Sequence, residues 1–291
     1  MSAELRSASA RDTAWWLGVL QRRARKIAGE PPAPAEPPYF ESEQEREAAV
    51  NFFNAAFRAE ESGLRQAHEL ADEVGAWDPA LAEVLRLYGN EEGWHRELLE
   101  EFLARIGGGV KPMGRVTRLL YRAYARAERM ETIVLTNLMF ETIGATTYRM
   151  ALRNVREPSV RRMLTILTRD ESFHVPLNVH FLKLVLERRP QALGRARRLY
   201  RLVFAGLVLL PLASRPKAQA FDRIDKLPLA RAYARELAAL FDDYPELGFE
   251  PPAFVLALLG VKRGASAFAG ATSLAAAERA AERENVVVEE L

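Results

Sequence analysis

The sequence predicts an all-α protein built around a four-helix bundle, with extra N- and C-terminal helices. Three observations carry this. Apolar residues recur at helical spacing nearly everywhere along the 291 residues, and no segment joins period-two alternation to turn signals. Helix start and stop signals divide the middle of the chain into four long segments. Two of the four histidines stand in one spacing, Glu-x-x-His, in NEEGWH (90–95) and RDESFH (169–174). Residues three apart share a helix face, so each pair can offer an oxygen and a nitrogen to one point.

Residues 11–27 read as a short amphipathic helix, ended by the proline-rich GEPPAPAEPP (29–38). The first bundle helix starts at Ser42, which forms a capping box with Glu45, and runs to about Gly75. The second opens at Asp78-Pro79, an N-cap followed by a first-turn proline, and the glycines 107–109 close it. The third ends near Arg156, before Glu157-Pro158; the fourth runs from near Ser159 and fades before Pro190. Beyond lie a helix at about 191–210, one after Pro228, a short one in PPAFVLALLG and an alanine-rich tail. The chain thus divides into residues 1–40 (N-terminal helix and linker), 41–190 (bundle) and 191–291 (accessory helices and tail). The second and third bundle helices differ in the length between motif and turn, and the excess suits a long crossover within 108–125.

Composition excludes several chemistries. Hydrophobic residues make up 49%, enough for a sizeable core, and formal charge is +2. With no cysteine, disulfides, Cys-ligated zinc, iron–sulfur clusters and thiol nucleophiles are ruled out for these residues. The start lacks the basic-then-apolar order of a signal peptide, and LVFAGLVLLPLA (202–213) is too short to span a bilayer. A soluble, cytoplasmic protein is expected.

The acids stand where acids are costly. In the second bundle helix Leu81, Val84, Leu85, Tyr88, Leu99, Phe102 and Ile106 form an apolar stripe that contains Glu92 and His95. In the fourth, Val160, Met163, Leu164, Leu167, Phe181, Leu182 and Val185 form one that contains Glu171 and His174. Glu141 shares a face with Val134, Leu138, Tyr148 and Leu152; Glu60 shares one with Phe53, Ala56, Phe57, Leu64, Ala67 and Ala71. Glu61 is rotated by roughly 100° towards Asn54, Arg58 and Arg65, so Glu60 is the buried candidate. Burying a neutral polar group without a partner costs roughly 2–7 kcal/mol, and a charge more. The heights agree as well. At 1.5 Å per residue, Glu60 lies roughly 22 Å from the end of its helix and Glu92 roughly 20 Å from the start of the next. Across the second hairpin Glu141 and Glu171 give roughly 21 and roughly 18 Å. Glu60, Glu92, His95, Glu141, Glu171 and His174 are therefore the candidate ligands of a two-metal site. His68 and His180 fall outside this set and are expected at the surface.

This constellation resembles the ferritin-like di-iron carboxylate proteins, in which two helices give one Glu each and two give a Glu-x-x-His each. The resemblance covers about residues 43–188. EEGWHRELLEEFL and RDESFH are similar to the soluble acyl-carrier-protein desaturases. In those enzymes the acid before a ligand Glu holds the histidine of the other motif, which implies that Asp170 holds His95; Glu91 either holds His174 in the same way or is an ordinary solvated acid. The chain departs from the desaturases at Gly144, where they carry threonine; glycine there leaves room for substrate or for close helix packing. Pro176 removes one helical hydrogen bond and could kink the fourth helix. Leu99 stands where radical-generating ribonucleotide reductase subunits have tyrosine, which argues against that role.

The resemblance implies two iron ions, with a manganese–iron pair compatible with the same donors, and O2 as co-substrate. Two function classes follow. One is an O2-dependent di-iron oxidoreductase (hydroxylase, desaturase or N-oxygenase) acting on a mostly apolar small-molecule or carrier-bound substrate. Its electrons would come from an external donor, because rubrerythrin-like peroxidases use a cysteine-ligated iron domain and no cysteine is present. The other is a ferroxidase or iron-handling protein. Residues 183–235 are basic and suit either an acidic protein partner or plain solvation. Nucleic acid is not expected, since no base-reading motif is present; a homodimer is compatible with the sequence.

Overall fold

The computed structural model describes residues 12–28, 38–112, 129–214, 221–242 and 244–262. Eight α-helices are present among these, and no strand. The proposed linker at 29–38, the crossover and the alanine-rich tail lie largely or wholly outside the described residues.

Local chemistry sets the helix ends. Helix α1 (Thr13–Ile27) is capped by Asp12, whose Oδ1 accepts from Trp15 N at 3.0 Å. Helix α2 (Glu43–Gly75) is capped by Ser42, which accepts from Glu45 N at 3.1 Å; the Glu45 carboxylate reaches back to Glu41 N rather than to Ser42. Asp78 caps α3 (Pro79–Arg105) through Leu81 N, and Pro79 costs nothing where no intrahelical N–H bond is due. Gly107, at φ 72°, ends α3 in the left-handed region that a side chain would resist. Helix α4 spans Met130–Asn154, and α5 spans Pro158–Arg188, capped by the Glu157 carboxylate on Val160 N at 2.7 Å. Helix α5 continues through Pro176.

Two expected ends move. Helix α6 (Leu193–Ser214) runs past residue 210 through Pro211, because Leu207, Val208 and Pro211 are buried together and outweigh one lost hydrogen bond. Helix α7 (Lys226–Ala239) starts before Pro228, which sits in its first turn. Helix α8 is Ala253–Leu259.

The bundle consists of two hairpins, α2 with α3 and α4 with α5. Helix α1 lies on α3, while α6 and α7 pack on α4 and on each other. Of the residues expected in the core, Leu64 and Leu152 are only half-buried; the rest are buried. Helix α1 turns one face inward: Trp16, Val19, Leu20 and Arg23, at spacings of three, four and seven, are all buried. Burial of an aliphatic side chain such as Val19 or Leu20 contributes roughly 1.5–3 kcal/mol, enough to dock a short helix.

His180 is a correction. It is buried, not on the surface, with its ring 5.9 Å from that of Trp16. The expectation failed because it counted neighbours only within α5, whereas α1 covers that face. His68 is half-buried. Burial, helped by Lys183, lowers the His180 imidazole to about 4, against the opposing pull of Asp12 and Asp78. A base depressed in the folded state binds its proton more readily when unfolded. Its contribution to stability is therefore complete above about 6.5 and fades as pH falls towards about 4. His180→Phe should remove part of the stability loss between pH 6.5 and 4, up to about 3 kcal/mol. Thermal melts of parent and variant across that range test this; parallel curves would refute it.

Candidate metal centre

Glu92 and His95 from α3 meet Glu171 and His174 from α5, with one potential ligand atom of each inside a 4.8 Å group, all buried. Glu60 on α2 joins at one side, its Oε2 3.4 Å from His95 Nδ1. Glu141 on α4 joins at the other, beside Glu171. All six candidates are thus gathered in one place. Glu61 faces away, half-buried and paired with Arg58 at 2.7 Å.

The two imidazoles are oriented alike. His95 Nε2 lies 3.0 Å from Asp170 Oδ2, and His174 Nε2 lies 3.0 Å from Glu91 Oε2. Each outer acid belongs to the helix that carries the other histidine. Both Nδ1 atoms consequently face the carboxylate cluster, His174 Nδ1 lying 2.9 Å from Glu92 Oε1 and 3.7 Å from Glu171 Oε2. These three atoms are buried and aligned with no hydrogen-bond partner. Oxygens and a nitrogen converging in this way fit a cation between them, since buried polar atoms are otherwise satisfied.

The acids feel one another. Burial, then the charges of Glu141 and Glu60, hold the Glu92 and Glu171 carboxyls well above the usual range. Burial also opposes ionisation of Glu91, Asp170 and Glu60, but cationic neighbours reverse the outcome: Arg23 for Glu91 and Asp170, His95 for Glu60. Burial opposes protonation of His95, yet Asp170 and Glu60 raise it to about 10. Formally, the carboxylates of Glu60, Glu91, Glu92, Glu141, Asp170 and Glu171 face two guanidinium groups. Arg23 bonds Glu91 and Asp170, and Arg169 bonds Asp170. With the acids ionised and both imidazoles neutral, as metal ligands would have to be, four negative charges would remain, which two divalent cations would cancel.

Four supporting residues escape a reading that looks only for ligands. Tyr88 donates to Glu141 Oε1 at 2.9 Å and accepts from Asn137 at 3.0 Å, and its ring stands edge-on to His174. Burial keeps the Tyr88 phenol protonated, as a donor needs. On Gly63, one turn beyond Glu60, a Cβ would fall 2.5 Å from Glu92 Oε2, so glycine makes the space for that carboxylate. Arg23 is the fourth. Its signal was readable, a charged residue on the apolar face of residues 11–27, the same sign that marked Glu92.

Residues 51–177 match the family model described as Rubrerythrin. That segment belongs to the ferritin-like di-iron carboxylate superfamily and contains every candidate ligand and both outer acids. No curated protein and no solved structure matches the chain. A Rubrerythrin-type domain around a buried carboxylate–imidazole cluster supports di-iron redox or iron handling as the class of function. No described helix is long and apolar enough to cross a membrane.

The helix phase is testable by metal analysis. Glu60→Gln should lose metal, whereas Glu61→Gln should keep two ions per chain; the reverse would put the phase wrong by one residue. Gly63→Ala should fold, because the nearest atoms the added methyl meets all belong to the Glu92 side chain and alanine favours helix by about 1 kcal/mol. It should still bind metal at least tenfold more weakly, on the order expected for a displaced supporting contact. Parent-like affinity, measured by chelator competition, would show that Gly63 serves packing alone.

Proposed function

We propose that Glu60, Glu92, His95, Glu141, Glu171 and His174 hold two iron ions, and that the protein is an O2-dependent di-iron oxidoreductase. Its substrate is mostly apolar, either a small molecule or carrier-bound. The observation that carries the metal reading is the convergence of Glu92, His95, Glu171 and His174, one potential ligand atom of each lying within 4.8 Å of the others. When bound, the iron pair would supply the binding and reduction of dioxygen; its manganese–iron counterpart would use the same donors. The protein's own part is mechanical and electrostatic. Glu91 and Asp170 fix the imidazoles, Tyr88 and Asn137 fix Glu141, and the packed stripes keep bulk water out.

Gly144 favours an enzyme over an iron store. It is half-buried one turn from Glu141, and among the described residues a Cβ there would meet only the Tyr148 ring, at 3.9 Å. Room beside Glu141 is what a substrate would need. Electrons would come from an external donor. The basic stretch proposed to dock it is partly engaged within the chain. Arg189 and Arg195 pair with buried Glu131, while Arg197 and Arg201 bond the carbonyls of Leu247 and Glu250. Arg198 is exposed and is the better docking candidate.

The two function classes separate on iron and reductant. The di-ferrous protein should react once with O2, stop, and resume on addition of a reductase without further iron, faster with a suitable apolar substrate. Growth of an iron core of many ions per chain, with no reductant-supported turnover, would replace this reading with the ferroxidase one.

A further inference from the structure

Helix α1 delivers a guanidinium to a place where an apolar residue would be the cheaper choice. Arg23 is buried, and its Nη2 lies 2.8 Å from Glu91 Oε2 and 2.8 Å from Asp170 Oδ1. Its Nε completes a fork on Glu91, at 3.0 Å from Oε1. A single nitrogen thus ties an acid on α3 to an acid on α5, and those two acids hold the two imidazoles. The guanidinium also lies 4.3 Å over the ring of Phe173, the neighbour of His174.

Docking of α1 does not account for this arrangement. Trp16, Val19 and Leu20 already fix the helix by burial. A buried ion pair costs several kcal/mol in desolvation and often stabilises no better than an apolar residue of like volume. What it supplies is geometry and charge. Both outer acids must keep their oxygens on Nε2 for both Nδ1 atoms to face the cluster, and a shared rigid fork restrains both at once. The charge acts on the metals directly: a fixed cation beside them favours their less positive, reduced state.

We propose that Arg23 is a positioning residue of the metal centre, orienting His95 and His174 through Asp170 and Glu91 and holding the site's potential towards the reduced state. This rests on the reading that the cluster binds two iron ions, but not on the choice between oxidoreductase and iron store.

The test compares the full-length parent with Arg23→Gln and Arg23→Lys, each loaded with Fe(II) alone under anaerobic conditions. Iron per chain and affinity are read by chelator competition, the midpoint potential by spectroelectrochemical titration, and ligand order by Mössbauer line width. Arg23→Gln should bind iron roughly 10- to 100-fold more weakly, with a lower midpoint and broadened lines. Arg23→Lys should restore the midpoint, because the charge returns. Its lines should stay broad, because an ammonium cannot fork across two acids. A purely structural arginine would lower the melting temperature and leave midpoint and lines alone, and that result overturns the proposal. If Arg23→Gln does not fold, Arg23→Lys decides: broad lines with a parent-like midpoint support the proposal, and parent-like lines and affinity overturn it. A parent that takes up no iron overturns the metal reading and this proposal with it. A parent that binds two ions, beside an Arg23→Gln variant with the same affinity, midpoint and lines, overturns this proposal alone.

Discussion

Uncompensated negative charge in the bundle interior is the constraint on which the rest of this structure depends. Glu60, Glu91, Glu92, Glu141, Asp170 and Glu171 are all buried, in a region otherwise lined by leucine, phenylalanine and valine. Ionised carboxylates in such surroundings cost far more than the 5–15 kcal/mol by which whole domains are stable, unless cations sit among them. The chain meets part of the demand itself, with Arg23 and Arg169. The convergence of Glu92, His95, Glu171 and His174 on one point is compatible with a bound cation meeting the rest. The stability of this bundle and the binding of a cation within it would therefore be one property. Chelation should loosen the centre of the molecule rather than its rim.

The outer layers divide the work of holding the ligands. The helices that carry the histidines, α3 and α5, are bridged by Arg23 of α1 through Glu91 and Asp170. The Glu141 helix, α4, is held from another side. Thr147 bonds Tyr233 of α7 at 2.5 Å, and buried Glu131 pairs with Arg195 of α6 at 2.8 Å. A four-helix bundle alone could place six side chains at one height. Fixing imidazole tautomers and carboxylate directions takes a second shell, and here flanking helices contribute to it.

Much of this was legible in the sequence, for a physical reason. An acid or histidine inside an apolar stripe is costly enough to be informative, and that rule singled out the six cluster residues and separated Glu60 from Glu61. Capping chemistry marked Ser42 and Asp78-Pro79 as helix starts because those contacts are local. What escaped depends on contacts between distant segments. His180 reads as a surface residue until α1 is laid over α5. Gly63 reads as an ordinary small residue until the Glu92 carboxylate is seen occupying the space of its missing Cβ. Pro211 reads as a helix stop until its burial with Val208 is known. Arg23 was the exception. The stripe rule applied to it as it did to the acids, but the short N-terminal segment was read as separate from the bundle.

Helix α1 packs on α3 of the bundle, and that contact bears on function. At 15 residues α1 is at the upper edge of the roughly 12–15-residue range below which isolated helices are marginal, so propensity alone supports it little. It holds its shape because Trp16 packs edge-on to Phe173 and covers His180, both on the same helix as His174. Whatever loosens α1 therefore withdraws a cation from Glu91 and Asp170 in the same movement. The hydrophobic face secures the helix, and the helix sets the charge beside the cluster. Packing at the N-terminus and electrostatics at the centre are thus linked through four residues, Trp16, Val19, Leu20 and Arg23, spaced along a single face.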